Sequence, residues 1–252
     1  MYLILFKMLG SDPEVNEMAE KKCCWGDGLD PLMGEYHDRE WGTPLHDDRK
    51  LFEFLILEGF QAGLSWKLIL DKRENFRRAF RGFDPEKVAR FTARDVRRLL
   101  GDAGIVRNRL KVLGAINNAK RFLEVRDEFG TFDRYIWSFV DGKPVLSGLR
   151  SFKDMPARTA LSDAISADLK SRGFKFVGST VVYSHMQATG MVNDHLVTCF
   201  RYGECEKMWK AGRKSESGAA RAKAAGGAGI TSGSGRPGST EKGQKKRKIR
   251  SR

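Results

Sequence analysis

Four residues able to hold one metal ion sit at opposite ends of the apolar part of this chain, Cys23 and His37 near its start, His195 and Cys199 near its close. In Asn-Asp-His-Leu-Val-Thr-Cys the last two are spaced i, i+4, which on a helix sets both side chains on one face. Cys23 and His37 lie across a stretch rich in Gly, Asp and Pro that reads as a loop. Two thiolates and two imidazoles satisfy tetrahedral zinc. If they share an ion, they tie the start of the domain to its end. The interval from His37 to His195 is not that of a zinc finger, and Cys24 and Cys205 compete as ligands. Buried thiols with polar histidines are the alternative.

The chain has 252 residues, enough for one sizeable core with flanks, and 40% hydrophobic content with 16 Phe favours a folded core over disorder. Four cysteines near the two ends of that core do not make a disulfide framework and point to a reducing, intracellular setting. Met1–Phe6 is apolar but too short for a secretory core, and no stretch approaches a membrane span.

The net charge of +14 is unevenly placed. Residues 210–252 carry 13 Lys and Arg against two Glu, which leaves only a small excess of 33 basic over 30 acidic residues before them. This Gly/Ala/Ser-rich tail ends Lys-Lys-Arg-Lys-Ile-Arg-Ser-Arg and is expected to be disordered, attracted to phosphate without sequence preference. The closing cluster also fits a nuclear-import signal. Residues 1–21 are expected to form a loosely ordered leader and 22–209 the folded domain.

Inside the core the periodicity is helical. Arg49–Leu57 reads as a helix buried on most sides, continuing after a bend near Gly59 or Gly63. Further helices are expected at Arg73–Phe80, from Asp84-Pro85 with Asp84 as N-cap, at Thr92–Leu100, Arg107–Leu123 and Ser162–Arg172, and near Ser179–Thr189. Phe174–Val177 is too short to carry a sheet. An all-α fold with one core follows.

Two constellations carry chemistry. Glu58, Gln61 and Ser65 form one polar line at i, i+3 and i+7 on an otherwise apolar segment, with Trp66 beside it. A carboxylate there costs several kcal/mol unless it is paired or lines a pocket, and an aromatic pocket with an acid and an amide suits a flat heterocycle. The alternative is Glu58 facing solvent. Between two helices, Asp102-Ala-Gly-Ile-Val-Arg-Asn-Arg-Leu-Lys joins a Gly104 turn to Arg107, Arg109 and Lys111, a hairpin suited to phosphate. Many helix pairs have such turns without binding anything.

Several longer motifs stand together: Cys-x-Trp near the start, Tyr36-His-Asp-x-Glu-Trp-Gly42, Leu57-Glu-Gly-x-Gln-Ala-Gly-Leu-Ser-Trp66, Asp102-Ala-Gly-Ile, Arg172-Gly-Phe-Lys-Phe-Val-Gly, Met-Gln-Ala and Val-Asn-Asp-His195. Over about residues 22–204 the chain resembles the DNA-3-methyladenine glycosylase I family. The resemblance implies a helix-hairpin-helix DNA glycosylase fold whose one structural Zn2+, on Cys23, His37, His195 and Cys199, joins the ends of the core. It implies a monofunctional enzyme that flips 3-methyladenine out of alkylated double-stranded DNA and hydrolyses its N-glycosidic bond, starting base-excision repair. By position it assigns Glu58 as the base-recognising acid, Trp66 as the stacking indole and Tyr36 as the pocket phenol. Gln61 falls in the same motif. Met33 stands where family members often carry a second pocket tyrosine; its sulfur can still pack against a ring. A monomer in a bacterial cytoplasm, at the nucleoid, is expected, with a nucleus as the alternative. A purely DNA-binding helical module would leave Glu58 and Gln61 unexplained, and four protein ligands leave a zinc no open position for catalysis.

Overall fold

The structure, a computed structural model, describes Trp25 and residues 30–211. Cys23, Cys24 and the basic 210–252 tail beyond Ala211 lie outside the described residues. Among the described residues, ten α-helices are followed by a helical segment at 200–211. Among the described residues, no helix is long and apolar enough to cross a membrane.

Helix α1 (Pro31–Arg39) occupies the stretch expected to be loop. Asp30 caps it by accepting from the Leu32 amide at 3.1 Å, and Pro31 takes the first helical position. The Asp-Pro pair that looked like loop composition is a helix start. Helix α2 (Asp48–Gln61) is the central element, with every residue from Leu51 to Phe60 buried. Burying each of its large apolar side chains contributes about 2 kcal/mol. Gly63, at φ +80, ends the run, so the expected bend falls at residues 62–65. Ser65 leaves the polar line there and instead caps α3 (Trp66–Asp71), accepting from the Leu68 amide.

Helices α4 (Arg73–Ala79), α5 (Pro85–Ala89) and α6 (Ala93–Gly101) follow, the last two opened by the expected Asp84 and Thr92 caps. Asn108 caps the long α7, so it starts at Arg109 rather than Arg107, and runs to Phe129, six residues beyond the expected Leu123, before Gly130 at φ +85 stops it. Helix α8 (Phe132–Ser138) has no expected counterpart; the Asp48 carboxylate, from the first turn of α2, accepts the Phe132 and Asp133 amides at 3.1 and 2.8 Å. Helices α9 (Ala160–Ser171) and α10 (Ser179–Ala188) fall where expected. Among the described residues, strand pairing is confined to β1 (Val145–Leu146) lying parallel to β2 (Val192–Asn193), with Val145 opposite Val192.

Helix α2 packs against α3, α7, α8 and α10. Phe52 meets Phe122 of α7 at 5.1 Å, and Phe122 stacks on Phe132 of α8 at 4.2 Å. A shielded ion cluster covers one flank: Arg73 bonds Glu53 at 2.8 Å and Glu40 at 2.7 Å, and Arg77 joins at Glu53. These bonds tie α2, α4 and the end of α1.

The segment after α1 is laced to the end of α10. The Gly42 amide donates to Gln187 O and the Leu45 amide to Thr189 O, both at 3.0 Å. Gly190 sits in the crossing at φ +69, where a Cβ would fall 2.4 Å from the Thr43 carbonyl carbon. Both the backbone conformation and the close approach demand glycine. Gly190→Ala is expected to cost more than about 3 kcal/mol of unfolding free energy, measured by urea denaturation.

Candidate active site and metal cluster

Helices α1, α2, α3 and α10 enclose a cavity of about 270 Å³. Tyr36 from α1 and Trp66 from α3 meet across it at 5.4 Å between centroids, and Phe54 of α2 stacks behind Trp66 at 6.4 Å. Met33 and Met155 add thioether surface, and Gln61 and Gln187 bring amides to the lining. The structure thus gathers Met33, Tyr36, Glu58, Gln61 and Trp66 at one cavity. Two hollows elsewhere are larger, about 490 Å³ between α6 and α7 and 580 Å³ at α9 and α10, but neither is lined by a buried carboxyl.

Glu58 is the unusual group. It is 3% exposed, and its Oε2 has no hydrogen-bond partner. Burial pushes its carboxyl up to about 8 from 4.5, so the acid is mostly protonated at neutral pH. The Trp66 indole Nε1–H, in the same lining, is likewise buried and unpartnered. Two unmatched polar atoms on residues that line one cavity cost free energy that a ligand able to reach them would restore. The Tyr36 phenol is held well above its ordinary range, by burial first and by the neighbouring Glu58 second, so it remains a neutral O–H.

The hairpin between α6 and α7 is built differently from its sequence. Gly104 spends its amide on Asp102 Oδ1 at 2.8 Å, and an added Cβ would meet that same atom at 2.9 Å. Arg107 and Arg109 are exposed. Lys111 turns inward: its ammonium donates to Phe60 O at 2.8 Å and Ala62 O at 2.6 Å, and burial lowers its pKa. It satisfies carbonyls left open where α2 ends, a C-capping role.

A second cluster lies at His37, His195 and Cys199, whose ligating atoms fall within 4.8 Å of one another. Cys199 Sγ is 3.6 Å from His37 Nε2 and 3.6 Å from His195 Nδ1. The other nitrogen of each ring is engaged: His37 Nδ1 with Asp38 Oδ1 at 2.7 Å, His195 Nε2 with Trp41 O at 2.9 Å. Those acceptors fix the tautomers that turn a lone pair from each imidazole toward the thiol, as in metal sites. The cluster could hold a metal ion. Residues 195–199 are turns rather than helix, with the Cys199 amide donating to Leu196 O at 2.8 Å; the chain becomes helical only at 200. A tight turn achieves the closeness that helical spacing was expected to give. Cys205 stands outside the cluster, a buried thiol whose pKa burial raises to about 11.

Sequence reasoning did not assign Trp25, Trp41, Phe152, Met155, Ser184 or Gln187 to the cavity. Gln187 sits in the Met-Gln-Ala motif, which carried a resemblance but no role.

A helical body whose aromatic-lined cavity holds a buried acid has the chemistry to receive one flat, polar ring. Residues 25–202 match the family model described as methyladenine glycosylase. The DNA-3-methyladenine glycosylase 1 of Escherichia coli K12 is 49% identical over 182 residues, covering 72% of this chain and 97% of the relative. The DNA-3-methyladenine glycosylase of Haemophilus influenzae is 43% identical over 178 residues, 71% of this chain and 96% of the relative. The 3-methyladenine DNA glycosylase I of Staphylococcus aureus, whose structure concerns 3-methyladenine recognition, superposes with a TM-score of 0.69 at 40% identity, covering 72% of this chain and 96% of that one. The chain belongs to the methyladenine glycosylase family and is a DNA glycosylase.

The raised Glu58 carboxyl has a consequence for stability. Its folded pKa of about 8 exceeds the ordinary 4.5, so the folded state holds a proton that the unfolded state releases between those values. This contribution is complete below pH 4.5 and is lost as pH climbs to 8, a loss of ~3 kcal/mol by pH 7. Glu58→Gln removes that loss: its melting temperature is expected to exceed wild type at pH 8, with the gap closing toward pH 5, as read by calorimetry.

Proposed function

We propose that the cavity receives 3-methyladenine extruded from alkylated duplex DNA, and that the chain hydrolyses its N-glycosidic bond to start base-excision repair. The observation that carries this reading is the unpartnered, buried Glu58 carboxyl in an aromatic cavity. Adenine methylated at N3 in DNA is a cation. Entering the cavity, it supplies the opposite charge that Glu58 lacks, and the carboxyl yields its proton. Neutral adenine offers no such compensation, so the same burial cost excludes it. Tyr36 and Trp66 pack on the ring.

The cationic base is already a good leaving group. The N9–C1′ bond breaks with its electron pair going to the base, which departs neutral; water attaches at C1′ and loses a proton. No strong general acid is required, and extrusion, desolvation and orientation carry the rate. No lysine is needed as a Schiff-base nucleophile, so the strand stays intact.

The hairpin serves as the phosphate contact, with exposed Arg107 and Arg109 and the Gly104 turn docking one DNA strand, and Lys111 acting from within by fixing the end of α2. The basic 210–252 tail adds attraction that does not depend on sequence. One copy of the chain suffices for this reading, and the cytoplasm is its expected place of work.

The metal of the His37/His195/Cys199 cluster is proposed to be one structural zinc, with Cys23 as fourth ligand. Zn–S and Zn–N bonds at tetrahedral angles place sulfur and nitrogen ~3.5 Å apart. The two sulfur–nitrogen separations of 3.6 Å agree with that spacing. Zinc there clips α1 to the segment before residue 200 and stays out of the chemistry.

Released 3-methyladenine, quantified from methylated DNA, tests the reading: Glu58→Ala is expected to lower kcat/KM by at least about a hundredfold, and equal activity would sink the assigned role. Wild-type kcat/KM should rise with pH between 6 and 8 as Glu58 ionises in the free enzyme, a limb absent from Glu58→Gln. Metal analysis should find one zinc per chain, reduced in Cys199→Ala along with the melting temperature. A metal-free wild type would end the four-ligand proposal.

A further inference from the structure

Gln187 reaches the cavity from α10 with its side-chain amide held in one orientation. Its Nε2 donates to Asp194 Oδ2 at 2.8 Å and to Met155 Sδ at 3.3 Å. Asp194 is 1% exposed, and the same Oδ2 accepts from the Tyr183 hydroxyl at 2.5 Å. A carboxylate offers acceptors alone, so the amide must turn its NH2 toward Asp194. The flipped amide would press Oε1 against a buried carboxylate oxygen. Both NH2 hydrogens are spent on these two partners, and what remains for a ligand is the acceptor Oε1.

We infer that Gln187, oriented by Asp194, is a specificity-determining residue that accepts a hydrogen bond from the 6-amino group of the extruded purine and so selects adenine over guanine lesions. The inference rests on the cavity being the receptor for an alkylated purine. Adenine carries a donor at position 6; guanine carries an oxygen there. An oxo group opposed to Oε1 would leave two buried acceptors facing each other, the kind of mismatch by which a hydrogen-bonding site discriminates most strongly. An amide free to rotate would accept either base, because it can present NH2 or oxygen. Asp194 removes that freedom. The carboxylate is a positioning residue: it touches Gln187 and Tyr183, while Gln187 meets the base.

The test uses the full chain and one substrate, duplex DNA methylated so that it holds both 3-methyladenine and 3-methylguanine, with each released base quantified in the same single-turnover reaction. Wild type should favour 3-methyladenine. Gln187→Leu should lose about tenfold in 3-methyladenine release with 3-methylguanine release unchanged, collapsing the ratio. Asp194→Asn, whose own amide can donate to Oε1, frees Gln187 to turn; 3-methyladenine release should fall and 3-methylguanine release rise. Thermal melting checks that both variants are folded. Parallel losses for the two bases, or an unchanged ratio in either folded variant, would overturn the inference while leaving the glycosylase reading intact. A wild-type chain that releases neither base would overturn both.

Discussion

The burial of one carboxyl without a partner governs this structure. Glu58 sits in a helix whose neighbours on every turn are core residues, so it can neither swing to water nor find a local cation. Holding it there draws on the apolar packing of α2 against α7, α8 and α10. The cationic flank is kept separate: Arg73 and Arg77 are committed to Glu40, Glu53 and Glu74, and so do not neutralise Glu58. The protein thus stores an electrostatic deficit in its cavity and keeps its own positive charges away from it. On the proposed reading, such a site would discriminate by charge before shape.

Helix α1 is shared between the two clusters of polar chemistry. Tyr36 contributes to the cavity, and the next residue, His37, is fully buried in the His37/His195/Cys199 cluster that could hold a metal ion. Adjacent residues on a helix diverge by about 100°, so one helix can present a phenol to a ligand and an imidazole to an ion. The cavity wall is therefore anchored both where the cluster is and by the ion pairs that tie the ends of α1, Asp30 to Lys67 of α3 and Glu40 to Arg73 of α4.

Much of the helical architecture was legible because caps and periodicity are local: Asp84-Pro85, Thr92 with Asp95, and the apolar run of α2 all behave as their residue types require. The errors have physical causes. Gly34 and the Asp-Pro pair disguised α1 as loop, although Asp30 caps it. Helical spacing correctly brought His195 and Cys199 together, but a turn does the work. Ser65 fits the polar line by count, yet Gly63 changes the chain direction before it. Glu58 and Trp66 were readable as a pocket because a carboxyl within an apolar run is anomalous by itself. Gln187 was not, since its role depends on Asp194 and Met155, contacts that only tertiary structure creates.

The inward turn of Lys111 alters what the hairpin can exchange with a polyanion. An ammonium that donates to Phe60 O and Ala62 O keeps one N–H for any other acceptor and is held close to the end of α2. Of the three basic groups that the sequence places around this turn, the proposed phosphate contact leaves two exposed guanidinium groups, Arg107 and Arg109, to release counterions, each phosphate so neutralised contributing a slope of about −0.9 in log affinity against log salt. Under the proposed phosphate contact, the hairpin would account for a slope of about −1.8, and a steeper salt dependence would originate elsewhere on the chain.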